Sequence, residues 1–217
     1  MKTKVLYVAA TRYKWYEEFT ERFLSTYSLY PSGLQHDLVV IVNGDTINDD
    51  IKKKFTSRVQ CEFFQGDNVG CDIGAYIKYS NICYNADSIV CCGTPTYFEE
   101  QSRGWLYKLS QAWEKYGPNC YGTNPNVRPS LRSACMCMPP YFLRSYPHKV
   151  EARNQRRDFE DGPESIAWWT AILKHKTYLV TCSDVYELPI VNGHYWNGDT
   201  SDIIMVDNNP HRHEYGE

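Results

Sequence analysis

The chain has 217 residues, 42% of them hydrophobic and 23% charged, which are values of a globular protein and not of a disordered one. Lys and Arg number 23 against 26 Asp and Glu, a formal charge of −3, so the basic footprint of a nucleic-acid binder is missing. The length suits one well-filled domain, which at this size buries about 70% of the surface its unfolded chain exposes. No apolar run is long enough to span a bilayer, and the first one, Val5 to Ala10, is too short for a signal peptide, so the sequence reads as cytosolic. Its nine cysteines (61, 71, 83, 91, 92, 120, 135, 137 and 182) lack zinc-ligand spacing and read as reduced, mostly buried thiols. The 18 Tyr and 6 Trp are a weak pointer to a sugar or nucleotide ligand.

In chain order, Val5 to Ala10 is a continuous apolar strand of the kind buried on both faces. Trp15, Phe19 and Phe23 then mark the apolar stripe of a helix over about Lys14 to Tyr27. Leu38 to Val42 is a second strand, Asp49 to Arg58 a short surface helix, and Val59 to Phe64 a third strand. A turn-rich loop, Gly66 to Asp72, feeds a helix that runs to about Tyr84, and Ser88 to Cys92 is a fourth strand, broken by Gly93-Thr94-Pro95. This alternation predicts a largely parallel sheet covered by helices, with any ligand beyond the carboxyl ends of the strands.

The second half is less regular. Trp105, Leu109 and Trp113 mark a helix, Leu131 to Met138 a strand, Pro140 to Tyr146 a short helix and Glu151 to Arg157 a charged loop. A helix with a proline near its start follows over about Ile166 to Leu173, then a last strand, Tyr178 to Cys182. Neither a repeat nor a low-complexity linker divides the chain.

No G-x-G-x-x-G, G-x-x-x-x-G-K-[ST] or G-x-S-x-G occurs, which removes the usual dinucleotide, P-loop and esterase signatures. The densest polar cluster at a strand end is the loop that carries Asp67, Asn68, Gly70 and Asp72. There carboxylate and amide groups can accept from a ribose or a base, and helix N–H groups can face a phosphate. The same residues also suit a plain turn, with Asp72 as helix cap.

The run Asp67-Asn68-Val69-Gly70-Cys71-Asp72-Ile73-Gly74-Ala75-Tyr76, followed by the strand Ser88 to Cys92, resembles the donor-binding half of GT-A glycosyltransferases. It is similar in particular to the N-x-G-x-D-I-G-A-Y loop of rhamnan-synthesis-type transferases and to the compact domains that large alga-infecting viruses encode for capsid glycans. The resemblance implies a single GT-A-like α/β domain over residues 1–217, nucleotide-binding to about residue 98 and acceptor-binding beyond it. It implies transfer of a hexose or deoxyhexose from a UDP-sugar to a glycan hydroxyl, with retention slightly favoured. Ala9, Ala10, Thr11 and Asp45 would line the base and ribose, Asp67 to Asp72 would hold the nucleoside, and Cys92, Gly93 and Thr94 would face the diphosphate.

One departure stands out. GT-A strands usually end here in D-x-D, whose acids hold Mn²⁺ or Mg²⁺, and this chain contains no D-x-D, which puts metal dependence in doubt. Some cation, Arg, Lys or backbone donor must still offset the charge that builds on the departing diphosphate. His211 and His213, near Asp207, are the metal candidates, and Arg128, Arg132, Arg153, Arg156 and Arg157 are within the acceptor half as cationic candidates or as a solvated face. Glu160 and Asp161 are the catalytic candidates on the acceptor side, although Asp161 and Glu164 also have the spacing of a helix capping box. Trp168 and Trp169 are adjacent, so one packs inward and the other is free to serve as a sugar platform. Two other classes fit the sequence: a non-catalytic nucleotide-sugar or glycan-binding module, and a small-molecule transferase of another doubly wound fold.

Overall fold

The computed structural model describes residues 1–124, 131–188 and 201–207. The elements in order are β1 (Thr3–Ala9), α1 (Tyr16–Leu29), β2 (Asp37–Val42), α2 (Asp49–Thr56), β3 (Glu62–Gln65), α3 (Cys71–Ser80) and β4 (Ser88–Cys92). There follow α4 (Trp105–Tyr116), β5 (Cys120–Gly122), β6 (Cys135–Met138), α5 (Pro140–Arg144), α6 (Arg153–Asp161), α7 (Ile166–Ile172), β7 (Thr177–Val180) and β8 (Val185–Glu187). One sheet of order β3-β2-β1-β4-β6-β5-β7-β8 contains every strand, and only β6 and β8 run against the rest. The expected single α/β domain with a mostly parallel sheet is what forms.

The continuous apolar runs are explained by burial on both faces. Val5, Tyr7 and Ala9 of β1 pack into one core layer with Leu38, Val40 and Val42 of β2, Val90 and Cys92 of β4, and the apolar sides of α1, α2 and α4. Leu6 and Val8 pack the other way, with Val39, Ile41, Ile89, Cys91, Met136 and Met138, against α3, α5, α6 and α7. Cysteines and methionines alternate along β6 so that Cys135 and Cys137 face the first layer and Met136 and Met138 the second. All nine cysteines are free, and six are buried; Cys71 is exposed, against expectation, because it opens α3 at the sheet's carboxyl edge.

Several boundaries differ from the sequence reading. The helix expected from Lys14 begins at Tyr16, and the strand expected from Leu131 begins at Cys135, because Cys135 N–H bonds to Arg132 O in a turn. The supposed loop Glu151 to Arg157 is mostly helix: the Gln155 side chain accepts from the N–H groups of Glu151 and Ala152 and so starts α6. The Asp161/Glu164 capping box does not form. Asp161 ends α6, and Ser165 caps α7 by accepting from Trp168 N–H at 3.3 Å. Glu164 instead faces His148 Nδ1 at 3.3 Å. The proline near that helix, Pro163, lies in the turn before it.

α3 packs so closely that its glycines leave no room for a methyl group. A Cβ on Gly74 would stand 2.1 Å from the Val69 carbonyl oxygen, a backbone atom that cannot turn aside. Gly74→Ala is therefore expected to lower the urea midpoint by the equivalent of about 1–3 kcal/mol with an unchanged m-value, and an unchanged midpoint would contradict this packing.

Candidate functional site

The parallel strands deliver their carboxyl ends to one edge, and a buried side chain organises it. Asn43, just past β2, is 2% exposed. Its Oδ1 accepts from Asn68 N–H at 2.7 Å and its Nδ2 donates to Cys71 O at 3.1 Å, which clamps the bend between β3 and α3 at both ends. Gly66 has no room for a Cβ, which would fall 2.6 Å from the same Oδ1. The clamped bend is strained: Asn68, Gly70 and Cys71 have φ of 61°, 72° and 55°, the left-handed region that side chains disfavour. Strain of this kind collects at ligand clamps.

The sequence candidates in this wall separate into two kinds. Thr11 accepts from Asp45 N–H at 2.7 Å, and Asp45 pairs with Arg12 at 3.3 Å, so these two shape the exposed rim beside Ala10. Asp67 receives Lys78 at 2.6 Å and Val69 N–H at 3.2 Å, and the Lys78 hydrogen bond holds its carboxyl below the usual carboxylate range. Thr94 is 4% exposed; its hydroxyl donates to Val8 O at 2.7 Å and accepts from Ala10 N–H at 3.2 Å, so it clips β4 to β1. The Ala9 and Cys92 side chains point into the core, and burial pushes the Cys92 thiol far above its ordinary pKa. These two positions offer only backbone to a ligand.

Asp72 is different. It does not cap α3, whose N-cap is Gly70; it lies in the helix's first turn and reaches across to β4. A Cβ on Gly93 would be 2.8 Å from Asp72 Oδ2, so a larger residue there would push the carboxylate aside. From Asp72 a chain of charges runs along the edge. Arg156 Nη1 stands 3.8 Å from Asp72 Oδ1, and Arg156 Nε 3.6 Å from Glu160 Oε1. Arg132 stands 3.9 Å from Glu160 Oε2, and its Nε donates to Asp207 Oδ2 at 3.1 Å. Glu160 also accepts from the Ser133 N–H at 3.0 Å and hydroxyl at 2.5 Å. Burial pushes the Glu160 carboxyl up, but Arg156, Arg132 and Ser133 together hold it below 4.5. Close to Asp72, the Tyr76 hydroxyl is buried with no hydrogen-bond partner among the described residues, and burial first and the Asp72 charge second drive its pKa up.

α6 supplies Arg156 and Glu160 from successive turns of one face, and β6's leading turn supplies Arg132 and Ser133. The segment 203–207 brings in Asp207, anchored by an antiparallel bridge between Tyr97 and Val206. The sequence singled out Asp72, Arg132, Arg156 and Glu160 separately, but their union is set by tertiary packing. Ser133 was missed, with no signal to mark it. Trp169 packs inward and donates to Phe142 O at 3.2 Å, whereas Trp168 is 41% exposed. His211, His213 and Arg128 lie outside the described residues.

Among the described residues no group of three His, Cys, Asp or Glu side chains is placed to hold a metal ion. The three carboxylates of the edge each face an arginine. The described residues alone therefore assemble no ligand set for a divalent cation.

No protein-family model and no curated sequence matches the chain. Solved structures do. Residues 1–349 of S. aureus TarS align over 72% of this chain and 53% of that one, with a TM-score of 0.50 and 10% identity. GalNAc-T7 with UDP, GalNAc and Mn²⁺ aligns over 68% of this chain and 37% of that one, at 0.51 and 8%. A Bacillus anthracis protein named as a glucose-1-phosphate thymidylyltransferase, in complex with sucrose, aligns over 79% and 83%, at 0.52 and 12%. The fold is GT-A-like. The chain spans about half the length of the TarS fragment and less of GalNAc-T7. No helix among the described residues is long and apolar enough to cross a membrane.

Because folding lowers the Glu160 pKa, its contribution is fully present above the unfolded value near 4.5 and is lost as pH falls through the folded value. Glu160→Gln is expected to be less stable than the parent at pH 7, with a gap that narrows at pH 3.5 as the parent's carboxylate protonates. Urea midpoints at the two pH values measure this, and a gap that stays constant would contradict the ionised network.

Proposed function

We propose that the chain is a glycosyltransferase that moves a hexose or deoxyhexose from a UDP-sugar to a glycan hydroxyl; the viral resemblance makes a capsid glycan the natural acceptor. One observation carries the reading above the fold: the strained bend 66–72, locked by Asn43 and leading into Asp72, whose carboxylate packs against Gly93, at the carboxyl edge of a GT-A-like sheet. Ligands of open α/β sheets lie at this edge. In this proposal residues up to about 98 bind the donor, with Ala10, Thr11 and the Asn68–Asp72 bend around the nucleoside, and the later residues bind the acceptor.

In the transfer, the bond between the sugar's anomeric carbon and the diphosphate oxygen breaks, its electron pair leaves with the diphosphate, and the acceptor oxygen bonds to the anomeric carbon. The acceptor's proton needs a base. Glu160 is saturated by Ser133 and two arginines and so acts as a positioning residue. Asp161, its neighbour at the end of α6, is the carboxylate assigned to the acceptor: in an inverting displacement it takes the proton as base, and in a retaining one it steadies the positive charge while the departing diphosphate oxygen takes the proton. The exposed Trp168 offers a flat apolar face for a sugar ring.

The likeness to the thymidylyltransferase-named protein, which this chain covers over 83% of its length, favours a second reading, nucleotidyl transfer to a sugar phosphate. A thermal-shift panel of UDP-, GDP-, dTDP- and CMP-sugars and dTTP, with and without Mn²⁺, separates the two. A UDP-sugar at about 100 times its dissociation constant should stabilise by about 2.7 kcal/mol. Asp72→Ala should abolish that shift while the unliganded melting stays within a few degrees. A shift with dTTP alone supports nucleotidyl transfer, and binding with no turnover under every condition supports a silent binding module.

Asp161→Asn removes the charge and preserves shape, so sugar transfer is expected to fall by about 10²–10⁴-fold with unchanged donor affinity. Normal turnover would remove Asp161 from the chemistry.

A further inference from the structure

We propose that Arg156 is the group that binds the donor's diphosphate, as a guanidinium standing where a divalent cation would otherwise serve. This rests on the nucleotide-sugar reading above and specifies how that site handles charge.

The geometry supports it in three ways. Arg156 lies between Asp72, in the first turn of α3, and Glu160, one turn along its own helix, and both contacts are ion pairs of 3.6–3.8 Å, longer than hydrogen bonds. Among the described residues its N–H donors thus keep their hydrogen-bonding capacity, while two carboxylates fix the direction of the fork and hold the guanidinium charged. The Arg156 side chain remains 27% exposed, in contrast to Arg132, which is 6% exposed and already donates to Asp207. Of the two arginines of the network, only Arg156 is open to an incoming ligand.

Its position matches the demand. Asp72 reaches Gly93 just past β4, so Arg156 is one carboxylate's width from that strand's carboxyl end. The first turn of α3 lies at the same carboxyl edge, with N–H groups that a helix leaves without internal partners and that favour an anion. A guanidinium binds phosphate oxygens in a bidentate fork, and its hydrogen bonds strengthen as the glycosidic electron pair settles on the leaving oxygen. At the end of β4 the nearest described donors are committed: Thr94 donates to Val8 O, and Gly93 N–H points at Ala134 O.

The arrangement also explains an imbalance. The edge holds three carboxylates and two arginines, and the carboxylates do not draw together as a ligand set, because each is turned to a guanidinium. When a diphosphate takes the fork, Asp72 is released from part of its pairing and can accept from ribose hydroxyls.

The test is calorimetric titration of EDTA-treated protein with pyrophosphate, UDP and uridine. The parent should bind UDP at least tenfold more tightly than uridine without added metal. Arg156→Gln should lose that advantage and its pyrophosphate binding while it binds uridine as before. Arg156→Lys, which keeps the charge but not the fork, should fall between, and it serves if the Gln variant fails to fold. Parent-like preference for UDP in both variants would overturn the role of Arg156 and leave the donor reading intact. Binding of UDP that vanishes in EDTA and returns with Mn²⁺ would do the same and hand the role to a metal. A parent that binds no nucleotide with or without Mn²⁺ would overturn the donor reading and this proposal together.

Discussion

The carboxyl edge of the sheet depends on one buried amide. Asn43 spends its acceptor on Asn68 and its donor on Cys71, and so holds three left-handed residues within four positions, Asn68, Gly70 and Cys71, of which Cys71 has no intrinsic preference for that geometry. Each polar group left unsatisfied there would cost about 1–3 kcal/mol, a large share of the stability of a domain this size. The clamp therefore couples the bend to the core: β2 is buried on both faces, Asn43 extends from it, and the bend cannot relax unless the strand end moves. Strain held this way prepays the ordering that a nucleotide would otherwise impose.

The second constraint is electrostatic. Four segments distant in sequence, at Asp72, Arg132–Ser133, Arg156–Glu160 and Asp207, meet through alternating charges at the carboxyl end of β4. Buried ion pairs add little net stability compared with apolar packing, but the removal of one member leaves an uncompensated charge. Their value here lies in orientation. Glu160 is fixed by Ser133 and in turn aims Arg156, so the later half of the chain supplies the cationic group that stands beside Asp72 of the first half.

The first half of the fold was legible because its strands are buried on both faces and its helices carry clean apolar stripes. Ser88–Cys92 was read with its true bounds. The second half was harder for physical reasons. β5 and β8 have three residues each, too short for a period to show. α6, read largely as a loop, has one buried apolar side chain, Phe159, and starts through a glutamine that caps from within. Within the site, the bend was found from its glycines and polar residues. The commitment of the Thr94 hydroxyl, the inward turn of Cys92 and the pairing of Glu160 with Ser133 are properties of packing between segments 27 to 86 residues apart, which no local pattern encodes.

Hydrogen–deuterium exchange with and without UDP tests most directly whether the nucleotide seats at this edge. Protection on binding should appear in the bend 66–76 and at 92–96, where the strand ends and α3 would be held. The groove at the opposite edge, formed by Tyr84, Asp87, Trp113, Tyr141 and Arg144, should not change. Protection confined to that groove, with the bend exchanging as in the free protein, would contradict the assignment of the donor site.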